Sequence, residues 1–512
     1  MTALASEYVP PDGIDAAAAE ARLAARLRLE RGPAEVADRI FYDTFDGRLH
    51  AAGLRLTDDG LALTVANGSG EITHAASVDR SRVFASELPA GRLRDVVAPI
   101  VEMRALTPIA RVHSRLRQLR VLDGEEKTVV RLVIEEPTVL GAEGARRRIG
   151  LRVNVVGVRG YDGARKRVCR VLENELGFAA ADASLLDAAV MASGMPPGGV
   201  YSRLEAALHA DQRADAAAAE LLTHLVATIT QNLPGVLADV DTEFLHDLRV
   251  AVRRTRSAQR QLQPVFPEGR ISFFRAEFRW LQQATGPTRD LDVYLWEFDE
   301  LGSTLPEFRR NALEPLRRLL LRHRGRERRR MLRALRSARF EELLVDWQAF
   351  LEKLVNDPLD DRPAAVRPIG GVAGERIAAV YRRMVKTGRA IDADTPAERL
   401  HDLRKTGKEL RYLLEFFARL YPAEVVKPMV RTLKGLQDTL GYFCDREVQA
   451  EALRSLGNEV ATLEDGPGAL MAMGLLVERL EADKDAARSE FGERFAAFAS
   501  DRQRAVVKAT FA

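Results

Sequence analysis

Apolar and polar positions alternate with a period of two over much of residues 38–158. DRIFYDTFDG followed by LRLTDDGLALTV reads as a strand, a second strand, an Asp-Asp-Gly turn and a third strand. RVHSRLRQLRVLDGEEKTVVRLVIEE reads as another hairpin, turning at Asp123-Gly124, and RRRIGLRVNVVGV as a further strand. Helical spacing in this half is confined to 15–29, 162–176 and 183–193. Residues 1–195 are therefore expected to form an α+β domain with a mostly antiparallel sheet. Pro and Gly cluster in MASGMPPGGVYS at 191–202, which predicts a linker. Beyond it the period changes to that of a helix almost everywhere. An all-α domain of eight or more helices is expected over 203–505, and the break in NDPLDDRPAAVRPIGG, at 356–371, divides it into about 205–355 and 370–500.

Composition narrows the classes. The chain has 512 residues, 46% of them hydrophobic, enough to bury more than one core. No run of about 18 apolar residues is present, so no membrane helix is expected. MTALASEYVPPDG lacks the basic and apolar regions of a secretory leader. Cys169 and Cys444 are the only cysteines, which argues against a disulfide scaffold or zinc site and places the chain in a reducing cytoplasm. P-loop, GxGxxG, HExxH and GxSxG patterns are absent.

The helical half contains a repeat. His-Asp-Leu-Arg occurs at 246–249 and again at 401–404, 155 residues on. The same offset relates Leu281-Gln282 to Leu436-Gln437, Gly286 to Gly441, Asp290 to Asp445 and Val293 to Val448. Two copies of one helical unit are expected, each supplying an equivalent half-surface. Asp290 and Asp445 follow the segments GPTRD and GYFCD, read as turns, and are expected to cap the next helix, with orientation of basic side chains as the other reading.

Charge is segregated along the chain. Formal net charge is +3, yet His246 to Phe340 holds 22 arginines and 11 acids. On a helix His246, Arg249, Arg253 and Arg256 share an arc of roughly 80°, and His401, Arg404, Lys408 and Arg411 repeat that spacing. Arg275 and Arg279, and Arg431 and Lys434, add cations on the next helix of each copy. Such rows repel themselves, so an external anion is the expected partner. Two histidines so far apart, with no further His or Cys at ligand spacing, do not make a metal site, and no nucleophile accompanies them. Nucleic acid is the less favoured polyanion, because aromatic residues are not interleaved with the basic ones. Trp280 and Phe278 are placed in the core.

These paired motifs resemble the CHAD domain, the conserved histidine α-helical domain, over roughly 205–500. The resemblance implies a two-halved helical bundle whose basic groove binds inorganic polyphosphate. It carries that role onto His246, Arg249, Arg253, Arg256, Arg275, Arg279, His401, Arg404, Lys408, Arg411 and Lys434. Val430 stands at the counterpart of Arg275, so the halves are not equally basic. The resemblance further implies no cofactor, no membrane partner, and a cytoplasmic protein associated with polyphosphate granules.

FYDTFDGRLHAAGLRL, at 41–56, resembles the Tyr-Asp-Thr segment of CYTH domains, the triphosphate tunnel enzymes. That resemblance implies a β tunnel or barrel, with Arg111, Arg115, Arg117 and Arg131 as tunnel phosphate contacts. The family's Glu-x-Glu-x-Lys strand is missing from the first 60 residues, where Glu7 is the one acid near that place. Metal-assisted hydrolysis needs carboxylates to hold a cation. The expectation is a degenerate tunnel in a non-catalytic polyphosphate-binding protein. The alternative is a triphosphatase that uses a divalent cation such as Mg²⁺ on tripolyphosphate or nucleoside triphosphates.

Overall fold

A computed structural model describes residues 7–67, 83–141, 144–200, 207–392 and 394–511, and the backbone of 70–76. The chain divides into two compact units, 1–201 and 202–512. Tyr201 and Ser202 of the expected linker, and the first residues of the expected helical domain, lie outside the described residues.

In the first unit the period-two segments form one antiparallel sheet of ten strands among the described residues. They are β1 (Glu7–Val9), β2 (Leu29–Asp43), β3 (Leu54–Asp58), β4 (Ala62–Asn67), β5 (Gly70–Ala76), β6 (Thr107–Leu122), β7 (Thr128–Leu140), β8 (Arg146–Arg148), β9 (Arg152–Gly157) and β10 (Ala179–Ala180). The order is β10-β1-β9-β7-β6-β2-β3-β4-β5, with β8 beside β7. Among the described residues no ladder joins β10 to β5, so the sheet is not closed into the expected barrel there. The helices are α1 (Ala16–Ala24), α2 (Arg48–Ala51), α3 (Arg92–Val101), α4 (Asp162–Arg170) and α5 (Leu185–Ala192), and α4 continues as a π turn to Glu175. Asp15 caps α1 by accepting from the Ala18 amide at 2.8 Å. This helix stops short of the expected 29, because Leu29 already pairs with Val121 of β6 and the ladder takes the chain. Gly32-Pro33 is absorbed by a bulge between Arg31 and Ala34, where a missing amide costs no ladder bond. Apolar residues of α1 and α4 cover one side of β6, β7 and β9 around Leu119, Leu132 and Val153.

The second unit is all-α, with eleven α-helices among the described residues. Their ranges are α6 (Ala214–Ala238), α7 (Thr242–Gln261), α8 (Glu268–Ser303), α9 (Glu307–Asn311), α10 (Glu314–Leu335), α11 (Ala338–Lys353), α12 (Ile369–Gly388), α13 (Ala397–Phe417), α14 (Ala423–Ala461), α15 (Gly466–Phe498) and α16 (Asp501–Phe511). The starts of α12, α13 and α14 repeat those of α6, α7 and α8 at the same spacing of 155 residues. Asp241 caps α7 through the Glu243 and Phe244 amides, at 2.9 and 3.2 Å. Leu245, Leu248 and Val252 of α7, and Leu400, Leu403 and Leu410 of α13, are buried, which leaves the basic rows on other faces.

The copies are related by a pseudo-two-fold axis, because residues pair with their own counterparts. Arg213 bridges Pro368 in antiparallel fashion. The Ala214 amide donates to the Arg367 carbonyl at 2.9 Å, and the equivalent Ile369 amide to the Gln212 carbonyl at 2.8 Å. Asp215 to Ala365, at 3.0 Å, and Gly370 to Ala210, at 2.9 Å, form a second reciprocal pair. Between α7 and α13 one ion pair is made twice with its charges exchanged: Arg254 with Glu415 at 2.7 Å, and Arg260 with Glu409. Position 254 is the counterpart of 409, and 260 of 415. This is the contact logic of an isologous dimer inside one chain.

These exchanged pairs yield a charge-swap prediction. Arg254→Glu alone places two carboxylates together in a half-buried site and is expected to cost about 1–2 kcal/mol. Adding Glu415→Arg is expected to restore most of that loss in urea denaturation. An unrestored double variant would contradict the pairing.

Candidate functional site

The second unit brings the two basic rows together. Arg249 and Arg253 lie on α7, and Arg404, Lys408 and Arg411 on α13. Lys408 is close enough to Arg253, Arg404 and Arg411 for their charges to act on it. Arg253 and Lys408 are counterparts, so the rows meet at the pseudo-two-fold axis. Burial, reinforced by these arginines, pushes the Lys408 ammonium down to about 8. Burial, with Arg253 and Arg289 nearby, likewise pushes the Arg249 guanidinium down to about 10. The Nε–H of Arg253 is buried and finds no acceptor among the described residues.

The recurring glycines sit under the equivalent arginines. A Cβ at Gly286 would stand 3.4 Å from Nη1 of Arg249, and one at Gly441 would stand 3.9 Å from Arg404. Arg249 donates to the Gln282 carbonyl at 2.9 Å and to Thr285 Oγ1 at 3.1 Å. Neither glycine makes a turn, since α8 and α14 run unbroken through them. Asp290 and Asp445 therefore lie within helices and cap nothing, which corrects the expected role. They orient cations instead. Arg404 donates to Asp445 at 2.9 Å. Asp290 lies among Arg249, Arg253 and Arg289, which hold its carboxyl down against a larger upward push from crowding.

The remaining site residues are placed unequally. His401 donates through Nε2 to Glu447 at 2.9 Å, so part of its capacity is used inside the protein. His246 holds the matching position on α7. Arg256 donates to the Gln282 side chain, with Arg279 nearby, and Arg275 donates to the Gln259 carbonyl at 2.8 Å. Arg411 reaches Glu415 at 3.2 Å. Arg279, Arg431 and Lys434 are exposed. The dense basic segment 322–339 is partly tied to acids: Arg324 to Asp292 and Asp239, Arg339 to Glu277. Phe278 is in the core, but Trp280 is half-buried beneath the Arg339 guanidinium, 4.2 Å away. Sequence reasoning missed Arg376 and Arg383 on α12. Their spacing of two turns was the available signal.

In the first unit the expected tunnel arginines do not converge. Arg131 shares a sheet face with Glu135, whereas Arg111, Arg115 and Arg117 point to the opposite face, as the register of β6 on β7 and β2 requires. The face bearing Glu135 lines a cavity of about 470 Å³ with Glu7, Arg39, Arg55 and Asn154. Both glutamates are engaged by arginines. Arg39 pairs with Glu135, Ser114 donates to the same carboxylate at 2.6 Å, and Arg152 pairs with Glu7. No group of three or more His, Cys, Asp or Glu side chains suited to a metal is found among the described residues.

A family model described as the CHAD domain matches residues 220–454. These residues form a CHAD domain. Both rows, Gly286, Gly441 and the exchanged ion pairs lie inside that range. The CHAD-bearing chain is similar to two solved structures. One is the CHAD domain from the plant Ricinus communis, at 25% identity and a TM-score of 0.44, covering 60% of this chain and 96% of that one. The other is PptA from Streptomyces chartreusis, at 18% identity and 0.43, covering 56% and 99%. No curated protein matches.

The depressed Lys408 gives a titration prediction. Its folded value lies below the ordinary 10.5, so the group costs stability below about pH 8 and releases that cost as pH rises toward 10.5. Side-chain NMR is expected to place its midpoint near 8, and Arg253→Gln or Arg404→Gln to move it upward. A midpoint above 10 in the native protein would contradict the convergence of the rows.

Proposed function

We propose that the CHAD-bearing unit binds inorganic polyphosphate without turning it over. The observation that carries this reading is the meeting of Arg253 and Lys408, counterparts from two repeats, with Arg249, Arg404 and Arg411 around them. One cationic surface built from two rows suits a linear polyanion whose charge recurs along its length. Guanidinium forks grip phosphate oxygens in pairs, and the ammonium adds a compact charge. Polyphosphate, rather than another polyanion, is the expectation carried by the CHAD resemblance. A nucleic acid would draw further affinity from base stacking, and the Trp280 ring is occupied by Arg339.

Binding without turnover is part of the same proposal. Among the described residues, no cluster of carboxylate or imidazole groups converges beside the cationic rows to hold an activating metal. In the first unit Glu135 and Glu7 are engaged by Arg39 and Arg152, which counts against a triphosphatase reading at that cavity. No helix among the described residues is long and apolar enough to cross a membrane. A cytoplasmic place on polyphosphate is the expectation carried by the CHAD resemblance.

Binding of long-chain polyphosphate to the full chain tests the proposal. Affinity is expected to fall steeply between low and moderate salt, because phosphate neutralisation releases counterions. Replacing Arg249, Arg253, Arg404 and Lys408 together by Ala is expected to weaken binding by about 100-fold or more. Val430 is exposed, so Val430→Arg is expected to fold, to bind more tightly and to steepen the salt slope by about 0.9. No binding, or binding untouched by the four alanines, would overturn the reading. Tripolyphosphate with Mg²⁺ is expected to release no phosphate. Sustained release would restore the triphosphatase alternative.

A further inference from the structure

The two halves of the helical unit differ sharply at one pair of counterpart positions. Arg256, Arg275, Arg376 and Arg383 all lie within electrostatic range of Arg260. One carboxylate, Glu409, pairs with both Arg260 and Arg383. Five guanidinium groups therefore share a single acid. Burial and the four neighbouring cations act together to hold Arg260 below its usual value. The buried Nε–H groups of Arg275 and Arg376 find no acceptor among the described residues.

The other half serves as an internal control. Counterparts of the five arginines are Arg411, Glu415, Val430, Leu221 and Thr228. There Glu415 pairs with Arg254 and Arg411, so two guanidinium groups share one acid. The fold thus forms at equivalent positions with its charges nearly balanced, and the excess around Arg260 is no requirement of helix packing. Arg260 and Arg383 remain about half exposed, which leaves the cluster open to a ligand.

We propose that the cluster around Arg260 is a subsite for the terminal phosphate of a condensed phosphate chain. This inference rests on the polyphosphate reading and adds a polarity to it. An unsubstituted terminal phosphate carries about −1.5 to −2 at neutral pH, whereas an internal unit has one ionisable oxygen and carries about −1. The end group is also compact and presents three terminal oxygens, which several converging guanidinium groups satisfy better than a row does. The chain end sits at the α7, α8 and α12 side, and the internal units run over Arg253 and Lys408.

The test compares two probes on the full-length protein: a short linear polyphosphate of defined length, and the same chain with both terminal phosphates converted to alkyl phosphoesters. The uncapped chain is expected to bind about tenfold more tightly. In the double variant Arg376→Gln, Arg383→Gln the difference between the two chains is expected to vanish. Equal binding of both chains by the native protein would overturn the subsite, whatever the variant does, and so would a preference that survives in the variant. Failure of both chains to bind would instead overturn the polyphosphate reading, and this inference with it.

Discussion

Like charges held close together are the constraint on which the helical unit depends. Arg253 and Lys408 approach across the pseudo-two-fold axis, with Arg249, Arg404 and Arg411 alongside. Left alone, these groups would push α7 and α13 apart. The exchanged pairs Arg254–Glu415 and Arg260–Glu409 hold the two helices at the same seam, and the reciprocal amide bonds around Arg213 and Pro368 fix the helix entries. Buried leucines do the remaining packing on the inner faces. The cationic surface is thus supported by contacts that recur in both copies.

Duplication also explains which features recur and which diverge. Gly286 and Gly441 recur with the equivalent arginines, Arg249 and Arg404, packed over them. The acids Asp290 and Asp445 recur beside those arginines and limit their repulsion. Divergence appears away from the axis, where Arg275 faces Val430 as its counterpart, and Arg376 and Arg383 face Leu221 and Thr228. Symmetric positions build the shared surface, and asymmetric ones distinguish its two ends.

Much of this was legible in the sequence, for physical reasons. Period-two alternation marked the sheet, and the offset of 155 residues marked the duplication and both basic rows. Two kinds of error arose. Gly-Pro at 286–287 carries a strong turn signal, yet α8 passes through it, with the Arg249 guanidinium packed over the glycine. The CYTH resemblance also implied that Arg115 and Arg117 join Arg131 in one tunnel. The facing of a strand depends on its pairing register, and the observed register separates them. Arg254 and Glu415 went unnoticed because their partnership crosses the axis and leaves no local pattern.

The central claim is that two half-surfaces act as one site. A double-mutant cycle in polyphosphate affinity, using Arg253→Gln and Lys408→Gln, tests it most directly. If one phosphate chain is gripped by both halves at the axis, the two losses are expected to be coupled by about 0.5 kcal/mol or more, with one chain bound per protein. Losses that add within about 0.3 kcal/mol, with each half binding its own chain, would contradict the account.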